Sequence, residues 1–207
     1  MSFFPMFIKL RDRQCVVIGG GKTAEAKIPG LIEAEARVRV IAPKVTEAIS
    51  TWAREGCVEW LQQKFESGDL EGAFLVIAAT SAADVNQEVF QEAEARGTLC
   101  NAVDDPARCH FYYPAVVRRG ALQIAISTSG FSPALAQRLR RELEVEFGPE
   151  YETWLEWLGL IRSVLRRSGG DPEDTKKILH LLASNEMFER FSKRNANELQ
   201  KEQGNMA

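Results

Sequence analysis

Residues 14–24 read Gln-Cys-Val-Val-Ile-Gly-Gly-Gly-Lys-Thr-Ala, an apolar and largely β-branched run that breaks into three glycines and resumes as a helical pattern. Gly19, Gly21 and Ala24 supply the spacing G-x-G-x-x-A. Glycines so spaced allow a tight strand-to-helix turn and bring backbone N–H groups close to a pyrophosphate at the positive end of the helix. The pattern has meaning only between a strand and a helix. Here residues 15–18 read as the strand, and Ala24, Ile28, Leu31 and Ile32 recur at helical spacing across 22–35. A structural glycine turn in a nucleotide-free α/β protein has the same pattern. The context favours a nucleotide, with Gly19, Gly20, Gly21, Lys22 and Thr23 as the residues that hold it.

The pattern continues as strand alternating with helix. Strands are expected over 38–41, 58–61, 73–79 and 98–102, with helices over 46–54 and 84–96. Short apolar strands separated by helices of this length imply parallel pairing with right-handed crossovers, and hence a doubly wound α/β sheet over residues 1–113. Beyond it the character changes. Residues 121–127 read as a strand, and Ser132-Pro133 caps and opens a helix over 133–146. Gly148-Pro149 breaks that helix. Three further helices are expected over 151–167, 171–183 and 185–200. Tyr151, Trp154, Leu155, Trp157, Leu158 and Ile161 form an apolar face, read as a core or a dimer surface.

The 207 residues carry a formal net charge of −3, which gives no electrostatic reason to expect a nucleic-acid partner. No run of about 18 apolar residues suggests a membrane span, and the N-terminus lacks a secretory pattern. The expected location is the cytoplasm. The four cysteines, Cys15, Cys57, Cys100 and Cys109, form no C-x-x-C pair, so neither a zinc site nor a disulfide framework is expected. Cys15 and Cys100 read as packed thiols, and the adjacent Cys109-His110 does not by itself make a metal site.

Ligands of open parallel sheets lie beyond the carboxyl ends of the strands. The loops 19–23, 42–44 and 80–83 are expected to meet there, joined by 101–106, which carries Asp104. That carboxylate could accept a proton or cap a turn beside Pro106. A standard fingerprint ends its second strand in Asp or Glu to hold a ribose, whereas this chain has Ala42-Pro43-Lys44. The choice between NAD and NADP stays open at that position, since Lys44 could approach a phosphate or point into solvent.

Taken together, the ordered motifs resemble the precorrin-2 dehydrogenases, the N-terminal module of siroheme synthases that often also acts as a sirohydrochlorin ferrochelatase. The resemblance covers most of 1–147. It rests on Phe4-Pro5-Met6-Phe7, Leu10-Arg11-Asp12-Arg13, Val17-Ile18-Gly19-Gly20-Gly21, Ile77-Ala78-Ala79-Thr80 and Val85-Asn86. Cys100-Asn101-Ala102-Val103-Asp104, the Phe111 to Pro114 stretch, Ile124-Ala125-Ile126-Ser127 and Ser129-Gly130-Phe131-Ser132-Pro133 complete it.

The resemblance implies an N-terminal Rossmann domain (1–113), a central dimerisation region (114–147) and a C-terminal helical domain (148–207), assembled as an intertwined homodimer. It implies NAD-dependent oxidation of precorrin-2 to sirohydrochlorin, a tetrapyrrole, with ferrous iron as a further substrate in bifunctional members. Asp104 takes the family's catalytic position, and Gly19 to Thr23, Pro43, Lys44 and Thr80 take the nucleotide positions. Where some members have Ser-Ser-Gly-Gly, this chain has Ser127-Thr128-Ser129-Gly130, which keeps a hydroxyl at 128. Arg108, Arg118, Arg119 and Arg138 are candidates for the substrate's carboxylates. A non-catalytic NAD-sensing module is the alternative.

Overall fold

The computed structural model describes residues 3–193. Its first compact unit, Met1–Tyr113, is built on five parallel strands: β1 (Gln14–Ile18), β2 (Arg37–Ile41), β3 (Glu59–Leu61), β4 (Leu75–Ala78) and β5 (Leu99–Ala102). They lie in the order β3-β2-β1-β4-β5, a doubly wound Rossmann-type sheet whose direction of winding reverses between β1 and β4. Val17 sits level with Val40 on one side and Ile77 on the other.

Both faces of the sheet are covered, which is why its strands read as continuous apolar runs rather than alternating ones. Cys15, Val17, Val40 and Ile77 pack against α1 (Lys22–Glu33) and α2 (Glu47–Arg54). Val16, Ile18, Val76 and Cys100 face Val89 and Ala93 of α3 (Ala83–Arg96). Local signals set the helix ends. Thr46 caps α2 through its side-chain oxygen, which accepts the Ile49 N–H, and Gly97 ends α3 in the left-handed region at φ 67°.

Two glycines hold the turn from β1 into α1. A Cβ on Gly19 would sit 2.4 Å from the Ala79 carbonyl oxygen, and one on Gly20 would sit 2.1 Å from that of Lys44. Backbone bonds tie the same turn down, from Gly19 N–H to the Ile41 carbonyl and from Thr46 N–H to that of Gly20, each 2.9 Å. Gly21, by contrast, would place a Cβ in open space.

The second unit, Pro114–Ala207, contains an antiparallel hairpin of β6 (Ala115–Arg119) and β7 (Leu122–Ile126). Here the sequence reading missed β6 and started its strand at Ala121, which lies in the two-residue turn with Gly120 (φ 53°). The signal was present: a glycine between two apolar runs is a hairpin signature. The hairpin packs on α4 (Pro133–Glu146), followed by α5 (Glu150–Arg167) and α6 (Pro172–Leu182). Residues 185–193 are helical; the rest of the helix expected over 185–200 lies outside the described residues.

Trp154, 5% exposed, gathers Trp157 and Phe191 at ring-centroid distances of 5.2 and 5.1 Å. Tyr151 meets Phe188 at 4.3 Å. The aromatic part of the apolar face on α5 is therefore core within this unit. Among the described residues, no helix is long and apolar enough to cross a membrane.

Two predictions follow from this packing. Gly19→Ala and Gly20→Ala should each destabilise the chain by about 1–3 kcal/mol, since the added Cβ meets backbone that cannot turn aside, while Gly21→Ala should leave the denaturation midpoint nearly unchanged. Burial pushes the Cys15 thiol from its ordinary 9.0 up to about 11, and chiefly burial pushes Cys100 up to about 12. Because both are harder to ionise folded than unfolded, their stabilising contribution is intact below the ordinary thiol value and is lost as pH rises toward the folded values. The urea midpoint should fall between pH 7.5 and pH 10, and Cys15→Ala should lessen that fall.

Candidate active site

At the carboxyl end of the sheet, the α1 N-terminus is capped by Gly21, whose lack of a side chain leaves the first-turn N–H groups without a side-chain acceptor. An uncapped helix start beside open space is suited to an anion, because the unpaired N–H groups and the helix dipole both favour negative charge. The sequence-predicted loops do meet here. Gly19 abuts Ala79 and Thr80, and Gly20 abuts Lys44 and Val45. The residues present thus fit the pyrophosphate of a nicotinamide dinucleotide, with the α1 backbone as its main contact.

The side chains expected at this site divide into two kinds. Pro43, Lys44 and Thr23 are exposed at the mouth of the turn. Lys22, also exposed, points its Nζ at Glu25 at 2.9 Å, so its charge is partly answered within α1. Thr80 is occupied locally: its hydroxyl lies 2.8 Å from Asn86 Oδ1 and 3.2 Å from the Ala82 N–H, which it accepts, while Asn86 Nδ2 donates to the Thr80 carbonyl at 3.0 Å. Thr80 and Asn86 therefore hold the β4–α3 loop in shape. The bracing part of Asn86 is set by its contact with Thr80 and has no signal in the local sequence.

Asp104 stands at the carboxyl end of β5, exposed, with φ 63°. Aspartate tolerates this left-handed conformation better than most residues, and the strain is affordable where the flanking chain is fixed. Val103 N–H donates to the Ala78 carbonyl at 2.9 Å, and buried Asn101 donates through Nδ2 to the Phe111 carbonyl at 2.8 Å. The Cys109 thiol lies 3.1 Å from the Ala102 carbonyl.

His110 closes this brace. Its Nδ1 accepts the Cys100 N–H at 3.0 Å, which leaves the proton on Nε2 to donate to Glu94 at 2.6 Å. Cys109 and His110 are thus turned to backbone and to Glu94. Among the described residues, no three His, Cys, Asp or Glu side chains are placed to hold a metal ion.

One site residue escaped the sequence reading. Lys27 of α1 sits 4.2 Å over the Tyr113 ring. Its ammonium is held below the ordinary lysine value, first by burial, against which the charge of Asp104 acts to raise it. The available signal was position: Lys27 lies one turn past the glycines, between the buried positions Ala24 and Ile28.

The arginine candidates are engaged elsewhere. Arg108 pairs with Asp105 and Gln87, Arg138 with Glu142, and Arg119 donates to the Glu144 carbonyl at 2.8 Å. Arg118 is not free either. At the departure noted above, the Thr128 hydroxyl accepts the Ser132 N–H at 3.2 Å and so supports the entry to α4.

The chain is similar to known proteins in both of its units. A family described as "Putative NAD(P)-binding" matches residues 6–115, and one described as "Sirohaem biosynthesis protein central" matches 119–146. Siroheme synthase 1 of Serratia proteamaculans (strain 568) is 37% identical over 82% of this chain and 36% of its own length. Siroheme synthase of Actinobacillus pleuropneumoniae serotype 7 (strain AP76) is 42% identical over 70% of this chain and 30% of its own. The chain spans about a third of the length of these curated relatives. Among solved structures, that of SirC, precorrin-2 dehydrogenase, covers 97% of this chain and 100% of its own at 25% identity and a TM-score of 0.82. The chain belongs to the NAD(P)-binding family, and within it to the members whose dinucleotide domain is followed by the sirohaem biosynthesis central segment.

Proposed function

We propose that this chain is an NAD-dependent dehydrogenase that oxidises precorrin-2 to sirohydrochlorin. The observation that carries the reading is the placement of Asp104: a carboxylate on a braced loop, at the same sheet edge as an uncapped helix N-terminus. The names of its relatives, siroheme synthase and precorrin-2 dehydrogenase, supply the substrate.

Bound NAD supplies a two-electron acceptor for the hydride that leaves the reduced macrocycle. The chain's own residues do the rest. The α1 N–H groups and the Gly19 to Thr23 turn hold the pyrophosphate, with Lys44 and Pro43 at the outer edge. Asp104 takes the proton that leaves as the hydride does, a role worth about 10²- to 10⁴-fold in rate. Lys27 of α1 places a positive charge within electrostatic reach of that carboxylate.

We extend the reading to ferrous iron as a second substrate, for which Asp104 would accept the pyrrole protons displaced on insertion. A transient carboxylate contact suits a metal that must be given up to the macrocycle. The assembly in this reading is a homodimer formed through residues 114–147, where a two-stranded sheet leaves strand edges unpaired and Phe131 is 88% exposed. Its place is the cytoplasm, where the NAD pool is.

The deciding experiment is an anaerobic assay with enzymatically generated precorrin-2 and NAD, following NADH and the sirohydrochlorin spectrum, with ferrous iron added afterwards. Asp104→Ala should lower kcat at least 100-fold with NAD affinity within about threefold of wild type, and Lys27→Met should lower kcat about tenfold. Unchanged turnover in Asp104→Ala would remove the base assignment, and a wild-type chain that binds NAD without oxidising precorrin-2 would favour the NAD-sensing alternative. Gly21→Ala, which spares the fold, should weaken NAD at least tenfold by calorimetry, because its methyl group occupies the space left for the pyrophosphate.

A further inference from the structure

Helices α5 and α6 are joined by the short turn 168–171, in which Gly169 takes φ 69°, and they leave an open groove between them of about 750 Å³. That volume is within the ~300–1,000 Å³ typical of small-molecule sites. Its floor is aliphatic, from Leu155, Leu158, Leu165 and Leu179. Its rim carries Arg162, Arg166, Lys176 and His180.

Among the described residues, no carboxylate lines the groove, although Glu150, Glu152, Glu156, Glu173 and Asp174 lie on the same two helices. Lys177, one residue from the rim, pairs with Asp174. Among the described residues, Arg162, Arg166 and Lys176 have no hydrogen-bond or ion-pair partner. On α5 and α6, the groove lining thus carries basic side chains and the carboxylates lie off it.

Gly159 is a second, independent observation. It lies inside α5, where glycine is a poor helix former, and a Cβ there would meet nothing within 4 Å. Neither its conformation nor its neighbours exclude a side chain. Its effect is to leave the groove unfilled.

We propose that this groove binds a tetrapyrrole polycarboxylate, with the apolar ring on the leucine floor and its carboxylates paired to Arg162, Arg166 and Lys176. Guanidinium groups bind carboxylates in bidentate fashion, and an aliphatic floor takes up a flat apolar ring. Among the described residues, the groove lining contains no Phe, Tyr or Trp on which nucleic-acid bases could stack. The proposal rests on the precorrin-2 reading for its choice of ligand, and substrate and product share the chemistry it requires. It assigns ligand binding to a face of the second unit that the dinucleotide site does not use.

The test uses the full chain and uroporphyrin I, a stable octacarboxylate porphyrin, titrated by equilibrium dialysis. Wild type should bind it, and R162E/R166E and Gly159→Leu should each weaken binding at least tenfold. Gly159→Leu should do so without lowering Tm, since leucine is the better helix former, which separates a filled groove from a damaged fold. Lys177→Glu, off the groove, should bind as wild type does.

No binding by wild type, or equal binding by wild type and Gly159→Leu, would overturn the proposal. Asp104→Ala should retain uroporphyrin binding. Groove-dependent binding without NADH formation from precorrin-2 would sink the dehydrogenase reading alone. NADH formation with groove-independent porphyrin binding would sink the groove alone.

Discussion

The first unit depends on backbone approaching backbone where no Cβ can fit. Gly20 brings the β1–α1 turn against the Lys44 carbonyl, and Gly19 brings it against that of Ala79. Three loops are thereby drawn to one point at the reversal of the sheet. Since the turn is secured by main-chain bonds to Ile41 and from Thr46, the start of α1 needs no side-chain cap. The positive end of the helix is left for a ligand.

The same economy places Asp104. Its backbone sits in a region that most side chains avoid, and what holds it there is a set of contacts from 101 to 111: Asn101 to Phe111, Cys109 to Ala102, His110 to Cys100 and Glu94. These residues leave the carboxylate itself exposed. For the base proposed above, rigid support with a free functional group is the useful arrangement. Lys27 adds charge from a neighbouring helix without occupying the carboxylate's loop.

In the second unit, electrostatics distinguishes surfaces that sequence composition makes look alike. Arg138 and Arg140 on α4 find glutamates four residues on, giving exposed or half-exposed pairs of small net worth. Among the described residues, Arg162 and Arg166 on α5 have none. Helical spacing accounts for the difference. The acids of α5 and α6 do not line the groove, so none of them answers the cations facing it.

The parallel sheet, the glycine turn and the helix over 133–146 were legible in the sequence because each is set by local rules: unbroken apolar strands, glycine where backbones crowd, a serine-proline start. The element boundaries lay within a few residues of those observed, as with α1 ending at Glu33 rather than 35. Strand β6 was missed because two arginines end it and its glycine turn was read as the start of β7. Sequence spacing could nominate Asp104 and the fingerprint, since both lie at strand ends. It could not show that Thr80 braces its own loop, that Arg108 and Arg119 are spent on internal acceptors, or that Lys27 lies within electrostatic reach of Asp104. Those depend on distances between segments far apart in the chain, which packing alone decides.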